Sequence, residues 1–229
     1  MQTPPIAVDD VERWNDQFAR EHDIDEYYDQ SGFLIRAIER RRLACIRKMV
    51  AAASSDHILE VGCGGGHVLR LFPESELTGV DVSGEMLGKA LRNLAGYRAR
   101  LLKGELQDLD LPTECFDKII CSEVLEHAVD PECILREMHR LLKPGGRVVI
   151  TFPNDQLVNR LKSLIRYSGL TFLPPLRRIS WGGDQYHLHV WSVPEMREFL
   201  GRYWQITDER FAPTRLLPIR CCFQCGHQG

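Results

Sequence analysis

Three groups of residues in the sequence could do chemistry. The first is a glycine cluster, Gly62, Gly64, Gly65 and Gly66, interrupted only by Cys63, with Glu60 just before it and Asp81 after it. A glycine turn lets backbone N–H groups approach a polar ligand, and an acid 21 residues past Glu60 stands where α/β folds hydrogen-bond a ribose diol. The second group is His127, His187 and His189, side chains able to take a proton from an acceptor near neutral pH. The third is Cys222, Cys225 and His227, a short thiol pair with one histidine. It lacks a clear fourth ligand, and cysteines in a strand are ordinary buried residues, so no metal ion is expected.

The elements that must position these groups follow from pattern. Ile58 to Val61 is a short apolar run that reads as a buried parallel strand, and Leu77 to Val80 is a second strand ending in Asp81. Between them Val68, Leu69 and Phe72 share one face of an expected helix, whose N-terminus would open onto the glycine turn. A phosphate-cradling P-loop requires Gly-Lys-Ser/Thr, and Gly65-Gly66-His67 stands there instead. A dinucleotide fingerprint can start at Gly62 and Gly64 but needs a small residue where His67 sits.

The run EVGCGGG with Asp81 downstream is similar to motif I and its following acid in class I methyltransferases dependent on S-adenosylmethionine. The later stretches FDKIICSEVLEHAVDP and LLKPGGRVVITFPN closely resemble further motifs of the small-molecule members, and the likeness covers about residues 58–153. It implies an α/β, Rossmann-like doubly wound sheet of seven mostly parallel strands with an antiparallel edge strand, an N-terminal helical lid and an inserted cap. In such a fold Glu60, Gly62, Cys63 and Gly64 approach the methionyl part of the cofactor and Asp81 holds the ribose. Val82, Glu105 and Leu106 wall the adenine, and Met86 and Ser122 complete the cofactor-binding set.

Taken in order, residues 1–229 read as one methyltransferase domain with four parts. Residues 1–53 are a helical lid, in which Tyr27 and Tyr28 are candidates to close over the site. Ile35, Ile38, Ile46 and Met49 mark one face of a long helix that packs on the sheet. The binding core is 54–153. Within it Ser83 caps a helix with Met86, Leu87, Ala90, Leu91 and Leu94 on its buried face, and Asp130-Pro131 starts another. Lys143-Pro144-Gly145-Gly146 is expected to stop that second helix before a fifth strand, Arg147 to Phe152.

Residues 154–190 are an inserted cap. Between Gln156 and Gly183 it carries Arg160, Lys162, Arg166, Arg177 and Arg178 and no acid. Such a stretch touches a membrane surface through 157–178, holds an anionic substrate, or simply presents a solvated face. Residues 191–229 supply a helix behind the capping box Ser192–Glu195 and two strands.

The formal net charge of −3 gives no reason to expect nucleic acid, and the Asn/Asp-Pro-Pro-Tyr/Phe element of DNA amino-methyltransferases is replaced by Ser122-Glu123-Val124-Leu125. No secretory or membrane-spanning run is present, and the eight scattered cysteines suit a reducing, cytoplasmic setting. The resemblance implies methyl transfer to a small-molecule acceptor, with oxygen ahead of nitrogen or carbon, leaving S-adenosylhomocysteine. His127 lines the site and His187 is the base, with Tyr186, His189, Arg177 and Arg178 as further acceptor-side candidates. A silent S-adenosylmethionine-binding protein and a nicotinamide oxidoreductase remain as alternatives.

Overall fold

The fold is that of a computed structural model, which describes residues 32–168 and 187–228. Among the described residues five α-helices and seven strands follow in order: α1 (Phe33–Val50), β1 (His57–Val61), β2 (Glu76–Asp81), α2 (Gly84–Asn93), β3 (Ala99–Lys103), β4 (Phe116–Ser122), α3 (Pro131–Leu141), β5 (Leu142–Pro153), α4 (Asp155–Tyr167), α5 (Val193–Gly201), β6 (Gln205–Pro213) and β7 (Pro218–Gly226). The strands form one sheet in the order β3-β2-β1-β4-β5-β7-β6. The first five run parallel, and β7 lies between β5 and β6, antiparallel to both. The expected antiparallel strand is therefore present, one place in from the edge.

Side chains alternate across the sheet, because successive residues of a strand face opposite ways. Leu59, Val61, Ile119, Cys121, Val148, Ile150 and Phe223 pack on one side with α3 and α5. Ile58, Ile120, Val149 and Cys222 pack on the other with α1 and α2. Helices on both faces explain the apolar runs of β1, of Ile119 to Cys121 in β4, and of Val148 to Phe152 in β5. Cys222 and Cys225 fall on opposite faces, so the two thiols do not converge on a metal.

Local signals set most helix ends. Ser83 accepts the Met86 N–H, Asp130 accepts the Cys133 N–H ahead of Pro131, and Asn154 accepts the Leu157 N–H. Ser192 and Glu195 form the reciprocal capping box. On α1, Ile38, Ile46 and Met49 are buried against the sheet while Ile35 is exposed, and on α2 Leu91 is exposed beside buried Met86 and Ala90.

Two expectations are corrected. No α-helix follows the glycine turn: residues 69–71 make a single 3₁₀ turn, although Val68, Leu69 and Phe72 are all buried. The apolar positions are buried as expected, but three glycines at 64–66 deny a helix the backbone stiffness to start. In addition, β5 begins earlier than expected, at Leu142, which pairs with Phe116. Residues 143–146 then bulge out of the ladder, with Gly145 at φ +74°, and regular pairing resumes at Arg147 opposite Lys118, where the strand was expected to start.

Candidate active site

The order of strands places a crevice between β1 and β4. From β1 the chain winds outward to β2 and β3, then returns to lay β4 on the other side of β1, so the loops at their C-terminal ends diverge. Ligands of open α/β sheets bind at this switch point. The glycine turn leaves β1 and the segment Glu123 to Ala128 leaves β4. They touch: a Cβ added to Gly62 would stand 2.4 Å from Val124 Cγ2. Gly62 is at φ +65°, so both its backbone and its neighbour demand glycine.

Gly64, at φ +49°, differs, because an added Cβ there would meet nothing within 4 Å. The turn faces open space at this residue. Asp81, at the end of β2, takes the Gly64 N–H on Oδ2 at 2.7 Å and the Ser83 N–H on Oδ1 at 2.9 Å. The half-buried carboxylate thus fixes the turn and remains beside the open space. A backbone cradle with a carboxylate at its rim suits a ligand carrying a diol and a cationic or polar tail, as S-adenosylmethionine does.

Other predicted cofactor residues are placed less directly. Glu60 is buried beneath the turn, and burial, against the weaker pull of Arg42, holds its carboxyl well above the ordinary range. The Cys63 side chain packs over Gly79 in the sheet, and burial pushes its thiol up, leaving its backbone as the part nearest the crevice. Val82 and Glu105 are half-buried, with Glu105 receiving the Gln107 amide, while Met86 and Leu106 are buried. The Ser122 hydroxyl is committed elsewhere, to Arg42 Nη1 at 2.5 Å and Thr151 Oγ1 at 2.9 Å.

The histidines converge. The ring centroids of His127 and His187 are 4.8 Å apart in an edge-to-face arrangement. His187 Nδ1 lies 2.7 Å from Asp155 Oδ2, in the first turn of α4. Backbone N–H groups of Leu188 and His189 donate to the Glu126 carbonyl at 2.8 and 3.1 Å, which seats the returning chain against the end of β4. His189 turns away, its Nε2 on the Ala128 carbonyl at 2.9 Å and its ring stacked on Trp191. Tyr27, Tyr28, Tyr186, Arg177 and Arg178 lie outside the described residues, as do residues 1–31 of the lid and 169–186 of the cap.

Sequence reasoning missed a buried charge network behind this cluster. Glu39 accepts from Arg42 Nε at 2.7 Å and from Arg220 Nε at 3.0 Å. Arg220 also stands 3.2 Å from Glu123 Oε2, and Thr151 Oγ1 donates to Glu123 Oε1 at 2.9 Å. Burial pushes the Glu39 carboxyl up, but Arg42 and Arg220 together outweigh it and hold it below the ordinary range. The available signal was on α1, where Arg42 interrupts the apolar stripe of Ile38, Ile46 and Met49. Glu123 itself is held at φ +58°, an uncommon backbone state for a side chain of its size that clusters at functional sites.

Glu126 was also missed, though it adjoins His127. It is 2 % exposed, and neither carboxylate oxygen has a hydrogen-bond partner among the described residues. Burial, reinforced by Glu123, pushes its carboxyl well above the usual range.

Comparison with known proteins agrees with this geometry. A methyltransferase domain family matches residues 59–150, the span that contains the glycine turn, Asp81 and the β4 loop. The chain is 32% identical over 174 residues to a ubiquinone/menaquinone biosynthesis C-methyltransferase from Syntrophotalea carbinolica, covering 72% of this chain and 73% of that protein. It is 32% identical over 114 residues to a ubiquinone biosynthesis O-methyltransferase from Coxiella burnetii, of whose length it spans about half (48% of each chain). Among solved structures, the magnesium protoporphyrin IX methyltransferase of Synechocystis superposes with a TM-score of 0.68 at 17% identity, over 94% of this chain and 99% of that one. With the sheet order described above, these matches show that the chain belongs to the class I, Rossmann-like methyltransferases that use S-adenosylmethionine.

Proposed function

We propose that the enzyme methylates a small-molecule acceptor at a hydroxyl oxygen, in preference to nitrogen or carbon. The observation that carries this reading is the Asp155–His187 pair, 2.7 Å apart and edge-on to His127 beside the switch-point crevice. S-adenosylmethionine supplies an electrophilic methyl group whose departure needs no acid. What this chain must add is position and, for a hydroxyl that is not ionised, removal of its proton. Asp155 holds the His187 ring in one orientation and stabilises its protonated form, the usual task of a carboxylate behind a histidine base. His127 packs against that ring and lines the acceptor side.

On the cofactor side, Glu60, Gly62, Cys63 and Gly64 form the methionyl cradle, the cysteine through its backbone. Asp81 holds the ribose, and Val82, Glu105 and Leu106 hold the adenine, with Met86 and Ser122 behind them. The names of the relatives, which act in ubiquinone and menaquinone synthesis on carbon or on oxygen, support an aromatic or quinone-like acceptor with a lipid-like tail. The basic stretch 157–178, of which α4 presents Arg160, Lys162, Arg166 and the exposed Leu164 and Tyr167, suits contact with an anionic acceptor or membrane surface. Among the described residues no helix is long and apolar enough to cross a membrane.

Labelled methyl transfer from S-adenosylmethionine across a panel of phenols, hydroquinones, amines and carbon acids tests the reading. Label on phenolic oxygen supports it. Label only on carbon or nitrogen would overturn the choice of atom, and tight cofactor binding with no turnover on any acceptor would favour a silent binding protein.

A further inference from the structure

We propose that Glu126, His127 and His187 form a site for a divalent transition-metal ion beside the end of β4. Each residue offers one donor atom, and the three donors lie within 4.8 Å of one another. Ligands of one tetrahedral ion stand about 3.4 Å apart, so closing on an ion asks for side-chain shifts on the order of 1 Å. The catalytic consequence rests on the methyl-transfer reading above; the binding itself does not.

Two independent observations point to a cation. Glu126 is 2 % exposed with both oxygens lacking a hydrogen-bond partner among the described residues, an unfavourable state for a carboxylate unless a positive charge answers it. The nearby cation Arg220 is already engaged by Glu39 and Glu123. Asp155 supplies the other observation. Its Oδ2 sits 2.7 Å from His187 Nδ1, which sets the tautomer that carries the lone pair on Nε2. A carboxylate behind a histidine is the usual support of a metal-binding imidazole.

The ligands are also preorganised. Glu126 and His127 are consecutive in the turn after β4, and the backbone hydrogen bonds from Leu188 and His189 to the Glu126 carbonyl fix where His187 arrives. Two imidazoles and one carboxylate suit Zn²⁺, Co²⁺, Fe²⁺ or Mn²⁺ better than the all-oxygen preferences of Mg²⁺ and Ca²⁺. Three protein ligands leave positions open, and a hydroxyl of the acceptor is the natural occupant. With the ion present, His187 serves as a ligand, and the acidity of the hydroxyl is raised by the cation. The expectation of no metal rested on Cys222, Cys225 and His227, none of which belongs to this set.

The test is titration of the chelator-treated, full-length protein with CoCl₂ and ZnCl₂, followed by calorimetry and visible absorption. One ion per chain is expected, with cobalt bands free of thiolate charge transfer, which separates this site from the cysteines. Glu126→Gln should weaken binding at least about a hundredfold, and Asp155→Asn about ten- to a hundredfold, with S-adenosylmethionine affinity unchanged. Absence of binding by the folded wild type, a thiolate spectrum, or equal binding by Glu126→Gln would overturn the site. Methyl transfer that proceeds unchanged in chelator also overturns it while leaving the proposed function standing. Ion binding without O-methylation does the reverse.

Discussion

Asp155 and His187, separated by 32 residues in sequence, meet at 2.7 Å and join the first turn of α4 to the chain returning towards α5. The contact holds the two ends of the cap segment against the loop that follows β4, where His127 waits. The ends of a segment of basic and apolar residues are thereby tied together by one hydrogen-bonded pair.

Replacing His187 with Ala should lower turnover by about 10²–10⁴-fold while cofactor affinity stays nearly intact. Asp155→Asn should reduce kcat by about tenfold or more, since the amide cannot stabilise a charged imidazole. Single-turnover rates alongside calorimetric titration with S-adenosylmethionine check both. A rate within a few-fold of wild type for each variant would remove the pair from the chemistry.

Asp81→Ala should weaken S-adenosylmethionine binding by about ten- to a hundredfold, the loss of one charge-assisted bond of roughly 1.5–3 kcal/mol. Because the same carboxylate accepts the Gly64 and Ser83 N–H groups, the variant should also lose some thermal stability in the absence of cofactor. Unchanged affinity in the folded variant would contradict the assignment.

Glu39→Ala should destabilise the protein by about 3–5 kcal/mol, because the buried Arg42 charge would lose the carboxylate that balances it. Urea unfolding gives the value directly. Replacing Glu39 and Arg42 together by Leu and Met should recover much of the loss. If the single variant costs less than about 1 kcal/mol, water reaches the network.

Glu60 carries a pH signature. Its folded carboxyl titrates above the unfolded value of about 4.3, so the folded state holds the extra proton. That contribution is complete below the unfolded pKa and is lost as pH rises through the folded one. Glu60→Gln should therefore gain stability over wild type as pH increases from about 4 towards neutrality. Parallel melting curves for the two proteins across that range would exclude a buried, proton-holding Glu60.

The sequence by itself determined the frame. Apolar runs at 58–61, 77–80 and 147–152, the caps at Ser83, Asp130 and Ser192, and the glycine turn with Asp81 are local features. They are legible because each records a constraint met within a few residues. The strand order, with β7 slipped between β5 and β6, and the missing helix after Gly66 depended on how distant segments pack, which no local pattern encodes. The same holds for the site. His127 and His187 could be named from their places in the chain. Only the tertiary structure brought Asp155 to His187, buried Glu126 beside His127, and set Glu39, Arg42 and Arg220 behind Glu123. Charges become partners by burial, and burial is a property of the packed sheet that the order of residues does not display.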